Sequence, residues 1–121
     1  MQDKDLYWLA GLIEGEGCYT WLKRVYKPQV IISMCDQDVI EKAAQLMGTS
    51  VVSVYPPSHR KRGHSPQWHA KVTGQRAIYL MQALYPLMGK RRKARIDELY
   101  EMYDARPNKR PTRLIESPYK N

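Results

Sequence analysis

Two cysteines in 121 residues are too few for a disulfide framework, and Cys18 and Cys35 stand too far apart for a CxxC unit. Both read as core or sheet residues of a protein kept in a reducing compartment. Long apolar runs are missing too: the longest, Leu6 to Ile13, falls far short of the roughly 20 residues that span a bilayer. The opening Met1-Gln2-Asp3-Lys4-Asp5 lacks the basic start of a signal peptide, so the expectation is an intracellular protein with no membrane partner. No nucleophile elbow, phosphate-binding glycine loop or dinucleotide fingerprint occurs, so neither covalent catalysis nor a small-molecule cofactor is indicated. His59, His64, His69 and the two cysteines follow no finger or knuckle spacing, which argues against zinc. Acid is scarce: 12 Asp and Glu against 20 Lys and Arg give a net charge of +8 and a pI near 9.6. Such a surplus suits a polyanion, whether DNA, RNA or an anionic membrane surface.

What is present organises into one domain with a short extension, since 121 residues and 14.2 kDa support one core and not two. Machinery that needs two matched halves must then come from two copies. Residues 5–13, DLYWLAGLI, begin at an Asp and have almost no polar face, the pattern of a helix buried on all sides. One small domain rarely buries such a helix alone. Beyond Gly17 the period becomes two: Tyr19 and Trp21 alternate with Thr20, and Val30, Ile32 and Met34 with Gln29, Ile31 and Ser33. This predicts a hairpin turning near Tyr26-Lys27-Pro28. Asp36 or Asp38 can cap a helix bearing Val39, Ile40, Ala43, Leu46 and Met47, and Gly48 supplies its stop. The two-residue period returns with Val52 and Val54 in one strand and Trp68, Ala70 and Val72 in the next, separated by the basic loop Pro57 to Ser65. Ile78, Met81 and Leu84 mark a further helix that cannot run normally through Pro86. After Met88-Gly89 a final helix carries Ile96, Leu99, Tyr100 and Tyr103 on one face. The expectation is an α+β domain of order αββαββα over residues 1–104, with a four-stranded antiparallel sheet backed by helices. Residues 105–121 are proline-broken and basic, and read as a flexible arm.

The run Leu9-Ala10-Gly11-Leu12-Ile13-Glu14-Gly15-Glu16-Gly17 puts two carboxylates around a glycine at the end of an apolar helix. It is similar at every position to the signature of the LAGLIDADG homing endonucleases, with Glu for Asp twice and Gly for Ala once. The family's element order matches the order read above, so the resemblance covers roughly Asp5 to Asp104. It implies the LAGLIDADG fold and a site-specific double-strand DNA endonuclease that hydrolyses phosphodiesters in both strands with Mg²⁺ or Mn²⁺. One motif per chain implies a homodimer and a long, nearly palindromic site. The alternative is the same fold with its chemistry lost, acting as an intron maturase or a nucleic-acid-binding regulator.

The motif also has physical reasons. Ala10, Gly11 and Gly15 lack the bulk that keeps packed helices about 8–10 Å apart, so a second helix can come closer. Under two-fold symmetry the same surface meets itself, and one Glu16 per chain becomes two side by side. Carboxylates so placed repel, and the C-terminal end of a helix dipole disfavours them further. A divalent cation between them relieves both, and leaves positions for phosphate and an attacking water. The expected dimer surface comprises Leu6, Leu9, Ala10, Gly11, Ile13, Glu14 and Gly15. By the family's pattern Glu16 is the metal ligand and Gly15 offers a main-chain carbonyl, while Glu14 is structural.

In this family a polar residue after the second strand and a basic residue before the last helix commonly position water and stabilise phosphate. Matching by order gives Asp36, which a helix cap explains equally well, and Lys90, with Arg91 as its rival. The run Lys90 to Arg95 holds five cations at a helix start, where they oppose the dipole and nearby phosphate would relieve them. Base reading is expected on the sheet face opposite the apolar one. There the alternation places Thr20, Leu22 and Arg24 in one strand and Gln29, Ile31 and Ser33 in the next. Ser53 and Tyr55, then Gln67, His69 and Lys71, complete that face. Two-stranded ribbons of this width enter the major groove. Arg60, Lys61 and Arg62 at one hairpin tip, and Lys23, Arg24 and Lys27 at the other, are expected on phosphates, fixing register without reading sequence.

Overall fold

In the computed structural model, residues 1–53, 67–107, 109 and 116–120 are described. Asp3 and Asp5 sit in the first turn of helix α1, Asp3–Glu16, where the positive end of the helix dipole favours them. The helix gives way without a loop to strand β1, Gly17–Leu22, which pairs antiparallel with β2, Lys27–Met34. The turn between them occupies residues 23–26, not the expected Tyr26-Lys27-Pro28. Lys27 pairs with Leu22 and Pro28 with Trp21, so both belong to the strand, and Tyr26 closes the tight turn at φ 54°. Helix α2, Gln37–Met47, stops at Gly48 as expected. There a left-handed residue donates its N–H to the carbonyls of Ala44 and Gln45. Strand β3, Val52–Ser53, and strand β4, Trp68–Thr73, complete a sheet of order β1-β2-β4-β3, antiparallel at every pairing. Val54, Tyr55 and the basic loop from Pro57 to Ser65, with Arg60, Lys61 and Arg62, lie outside the described residues, as do His59 and His64.

Helix α3, Gly74–Leu84, ends where Pro86 removes a backbone donor. A 3₁₀ turn over Tyr85–Leu87 follows, and then helix α4, Lys90–Asp104. The expected order is therefore found, with the helical segment after the sheet divided in two at the proline. All four helices pack toward one side of the sheet. Val30, Ile32, Ala70 and Val72 face Leu9 and Ile13 of α1, Ile40 and Met47 of α2, Leu80, Met81 and Leu84 of α3, and Ile96 and Leu99 of α4. Burial of each large side chain contributes about 1.5–3 kcal/mol, which is what fixes the helices on the sheet. None of the described helices is long and apolar enough to cross a membrane.

A single chain covers helix α1 on one side, in keeping with the expectation that one small domain does not bury it alone: Leu9, Ala10 and Ile13 are inside, whereas Tyr7 is 59% exposed and Gly11 and Gly15 face open space. One expectation needs correction: the far end of the basic arm is anchored. Tyr119 is buried in the core cluster, and its hydroxyl donates to the Met47 carbonyl at 2.8 Å, where α2 ends and a carbonyl lacks a helical partner.

Candidate active site and nucleic-acid interface

The acidic end of α1 is set by a steric constraint. A Cβ on Gly17 would lie 2.7 Å from Ile13 Cγ2 and 2.8 Å from the Ile13 carbonyl oxygen, so only glycine lets the chain leave the helix this abruptly. The Gly17 N–H closes the last turn onto Ile13. Glu14, Gly15 and Glu16 are left exposed at the edge where β1 begins. The residues expected to form a dimer surface divide in two. Leu9 and Ile13, both 0% exposed, and Ala10 belong to the chain's own core, and half-buried Leu6 packs against it. The open face carries Tyr7, Gly11 and Gly15, one helical turn apart, and a Cβ built on either glycine meets nothing within 4 Å. Each glycine in a helix interior costs about 0.5–1 kcal/mol relative to alanine, a cost that intrachain packing does not explain here.

The start of α4 is tied to the same place by two links. Glu14 reaches over Gly89, the residue that caps α4: its Oε1 would be 2.7 Å from a Cβ there. The first turn of α4 has no acid of its own, so Glu14 supplies negative charge to the positive helix end from another element. In return, Arg92 donates through Nη1 to the Gly17 carbonyl at 2.7 Å and through Nη2 to the Glu14 carbonyl at 3.1 Å. Arg95 Nε donates to the Tyr19 carbonyl at 3.1 Å while its Nη1 pairs with Glu98 at 2.7 Å. Arg92 also lies 5.9 Å from the Tyr19 ring, and the Tyr19 hydroxyl donates to Met88 Sδ at 3.3 Å. Burial pushes the Tyr19 phenol far above its ordinary pKa, against the opposing pull of Arg92. The candidate cations Lys90 and Arg91 remain exposed on that first turn, free to meet a ligand. The sequence does not single out Arg92 and Arg95, because in a run of five cations nothing marks which ones turn inward.

Asp36 occupies the N-cap position of α2, yet its side chain makes no capping hydrogen bond and is exposed. It follows β2, whose Ile32 pairs with Gly17, so the chain leaves β2 at the same end of the sheet as α1 enters β1. The segments that carry Glu16, Asp36, Lys90 and Arg91 thus meet the sheet at one end of its strands. A single chain brings no cluster of three metal-ligating side chains together among the described residues. One carboxylate and a main-chain carbonyl nevertheless fit Mg²⁺ or Mn²⁺, because such ions retain waters and complete their shell with substrate phosphate oxygens.

The outer face of the sheet is read from the register. Thr20 opposes Gln29, Leu22 opposes Lys27, Ile31 opposes Lys71 and Ser33 opposes His69, so these eight residues share one surface; seven were expected there, and Lys27 joins them because it belongs to the strand and not to the turn. Gln67 immediately precedes β4, and Arg24 is exposed in the turn. Ser53 is misplaced in that expectation. It pairs with Trp68 on the core side, whereas Val52 pairs with His69 and is 50% exposed on the outer face. Two valines alone give the alternation the wrong phase, and only pairing with β4 settles it. Pairing also adds Thr73, opposite Gln29, while Cys18, opposite Ile31, shares the same face and offers apolar contact there as expected. Gln29 Nε2 donates to Thr20 Oγ1 at 3.2 Å, which orients the amide outward from a fixed anchor. Partial burial, and then Lys71, hold the His69 imidazole below its usual pKa and favour the neutral form, which both donates and accepts.

No protein-family profile and no curated protein sequence matches the chain. In structure it is similar to a group I intron-encoded homing endonuclease, I-CeuI, complexed with DNA, with a TM-score of 0.58 and 13% identity over 85% of this chain and 55% of that one. It is likewise similar to the homing endonuclease I-CvuI in complex with its target in the presence of Ca, with a TM-score of 0.54 and 14% identity over 84% of this chain and 71% of that one. The chain therefore spans little more than half the length of the first. At such low identity it is the fold that is shared. The motif-bearing helix, the four-stranded antiparallel sheet and the helices closing over it make this the fold of the LAGLIDADG homing endonucleases.

Proposed function

We propose that this chain is one subunit of a homodimeric, metal-dependent endonuclease that cuts both strands of a long, nearly palindromic DNA site. The observation that carries the reading is the open face of α1. Tyr7, Gly11 and Gly15 lead along it to an exposed Glu16, with the cations of α4 beside that end. A second copy on this face removes Tyr7 from water, fills the space over both glycines and sets the two Glu16 carboxylates at one two-fold axis. The outer face of the sheet, with Gln29, Ser33, His69 and Lys71 interspersed among Leu22 and Ile31, suits the mixed polar and methyl edges of the major groove. The structural likeness to endonucleases complexed with DNA supports the same partner.

In this mechanism Glu16 and the Gly15 carbonyl would hold Mg²⁺ or Mn²⁺, which would supply charge stabilisation at the scissile phosphate and a more acidic water. The Asp36 carboxylate accepts a hydrogen bond from the attacking water and orients it toward phosphorus. The water oxygen forms the new bond to phosphorus and releases its proton to solvent by way of the Asp36 carboxylate, the bond from phosphorus to the 3′ oxygen breaks, and the released alkoxide takes up a proton from solvent. Lys90 or Arg91 stabilises the negative charge that grows on the phosphoryl oxygens. Selection of bound duplexes from a randomised pool, followed by addition of Mg²⁺, tests this directly. The expected result is double-strand cleavage of the selected duplex by the native chain, and full binding with no cleavage by Glu16→Gln. Full activity in Glu16→Gln overturns the mechanism. Selective binding with no cleavage by the native chain assigns it instead as a binding protein of this fold.

A further inference from the structure

We infer that Arg92 is a positioning residue that holds Glu16 and the Gly15 carbonyl in their metal-binding arrangement; this rests on the reading of Glu16 as a metal ligand. The last carbonyls of a helix have no intrahelical donors, and α1 has no basic residue in its last turn to satisfy them. Arg92 does so from a different element. Its two terminal nitrogens donate to Glu14 and Gly17, the carbonyls on either side of the Gly15-Glu16 pair. A planar fork that spans two acceptors fixes both their separation and their direction, which a point charge does not.

The fork itself is immobilised. Tyr19, 3% exposed, lies beside the guanidinium, and Met88 holds the Tyr19 hydroxyl. Arg92 Nε is buried and finds no partner among the described residues, a cost accepted so that the terminal nitrogens face the end of α1. Lys90 and Arg91, by contrast, are exposed and able to move with a ligand. The first two cations of α4 therefore face outward to phosphate, whereas the third sets the carboxylate. Positive charge at the negative end of the α1 dipole also lowers the repulsion that a second Glu16 would bring there.

The test compares the native full chain with Arg92→Met and Arg92→Lys, each ¹⁵N-labelled and saturated with a short duplex. The readouts are Mn²⁺-induced broadening of the Gly15, Glu16 and Gly17 amide signals, the thermal midpoint, and the salt dependence of duplex affinity. Arg92→Met is expected to raise the Mn²⁺ concentration for half-maximal broadening by about 10–100-fold, the usual consequence of losing a residue that orients a metal ligand. Arg92→Lys, which keeps charge and loses the fork, is expected to fall between, and it carries the test alone if Arg92→Met does not fold. The salt slope of duplex affinity is expected to stay unchanged. Unaltered Mn²⁺ dependence in a folded variant overturns the positioning role, and a shallower salt slope with unaltered Mn²⁺ dependence replaces it with a phosphate contact. Absence of broadening at Glu16 in the native chain would instead reject the metal reading itself, and the positioning role with it.

Discussion

The carboxylate of Glu14 lies against Gly89, with Oε1 placed 2.7 Å from where a Cβ on that glycine would be. A residue of the α1 motif thereby serves as the missing acid at the start of α4, a helix that opens on Lys90, Arg91, Arg92 and Lys93. This separates two carboxylates that look alike in sequence: Glu14 belongs to the junction of two helices, and Glu16 is left exposed.

Replacing Glu14 with Gln should therefore act on folding. The expected loss is about 0.3–1 kcal/mol, the usual worth of a charge at a helix end, and it should shrink in high salt because the interaction is screened. Urea denaturation at two salt concentrations measures it. Loss of cleavage with folding stability unchanged would reassign Glu14 to the chemistry.

The motif glycines should respond in opposite ways. Gly17→Ala forces a Cβ into the Ile13 backbone, 2.8 Å from its carbonyl oxygen, and should destabilise the chain by about 1–3 kcal/mol. Gly15→Ala meets open space within the chain and should stabilise the isolated subunit slightly, by removing backbone freedom from the unfolded state. In the proposed dimer the same methyl obstructs the second helix, so sedimentation should show weaker association. A Gly15→Ala chain that associates as tightly as the native one would move the dimer contact elsewhere.

On the sheet, Val52→Thr should alter which base is preferred at one position of each half-site, whereas Ser53→Ala should leave base preference intact. Val52 stands opposite His69 on the outer surface and Ser53 opposite Trp68 on the inner one. Selection from a randomised duplex pool distinguishes them, and a shift caused by Ser53→Ala alone would refute the register argument.

Tyr119 should confer a pH dependence on stability. Burial raises its phenol from the ordinary 10 to about 12, with Arg76 opposing. Because the folded-state value is the higher, the stabilising contribution is complete below about pH 10 and is lost as pH rises from 10 toward about 12. Tyr119→Phe should cost about 0.5–1.5 kcal/mol at neutral pH, by leaving the Met47 carbonyl without its donor, and should flatten the alkaline loss. Urea midpoints at about pH 8 and about pH 11 provide the comparison. Equal alkaline loss in both chains would place the effect on Tyr19 and Tyr100 alone.

Local chemistry in the sequence carried most of the architecture. The apolar run before Glu16, the two-residue period of β1, β2 and β4, the stop at Gly48 and the break at Pro86 each impose their element wherever the chain folds, because they act over a few residues. The motif Leu9 to Gly17 was likewise legible, although the steric need at its last glycine, the approach of Ile13, was not. Three things required the tertiary structure. The face presented by Ser53 depends on its partner strand, since two strand residues have no phase of their own. The split of α1 into a core side and an open side depends on where the sheet and the other helices lie, because a helix apolar all round does not say which side its own chain will cover. The division of labour between Arg92 and its neighbours Lys90 and Arg91 depends on carbonyls 75 residues earlier in the chain or more, and no pattern within a run of like charges encodes a partner that distant.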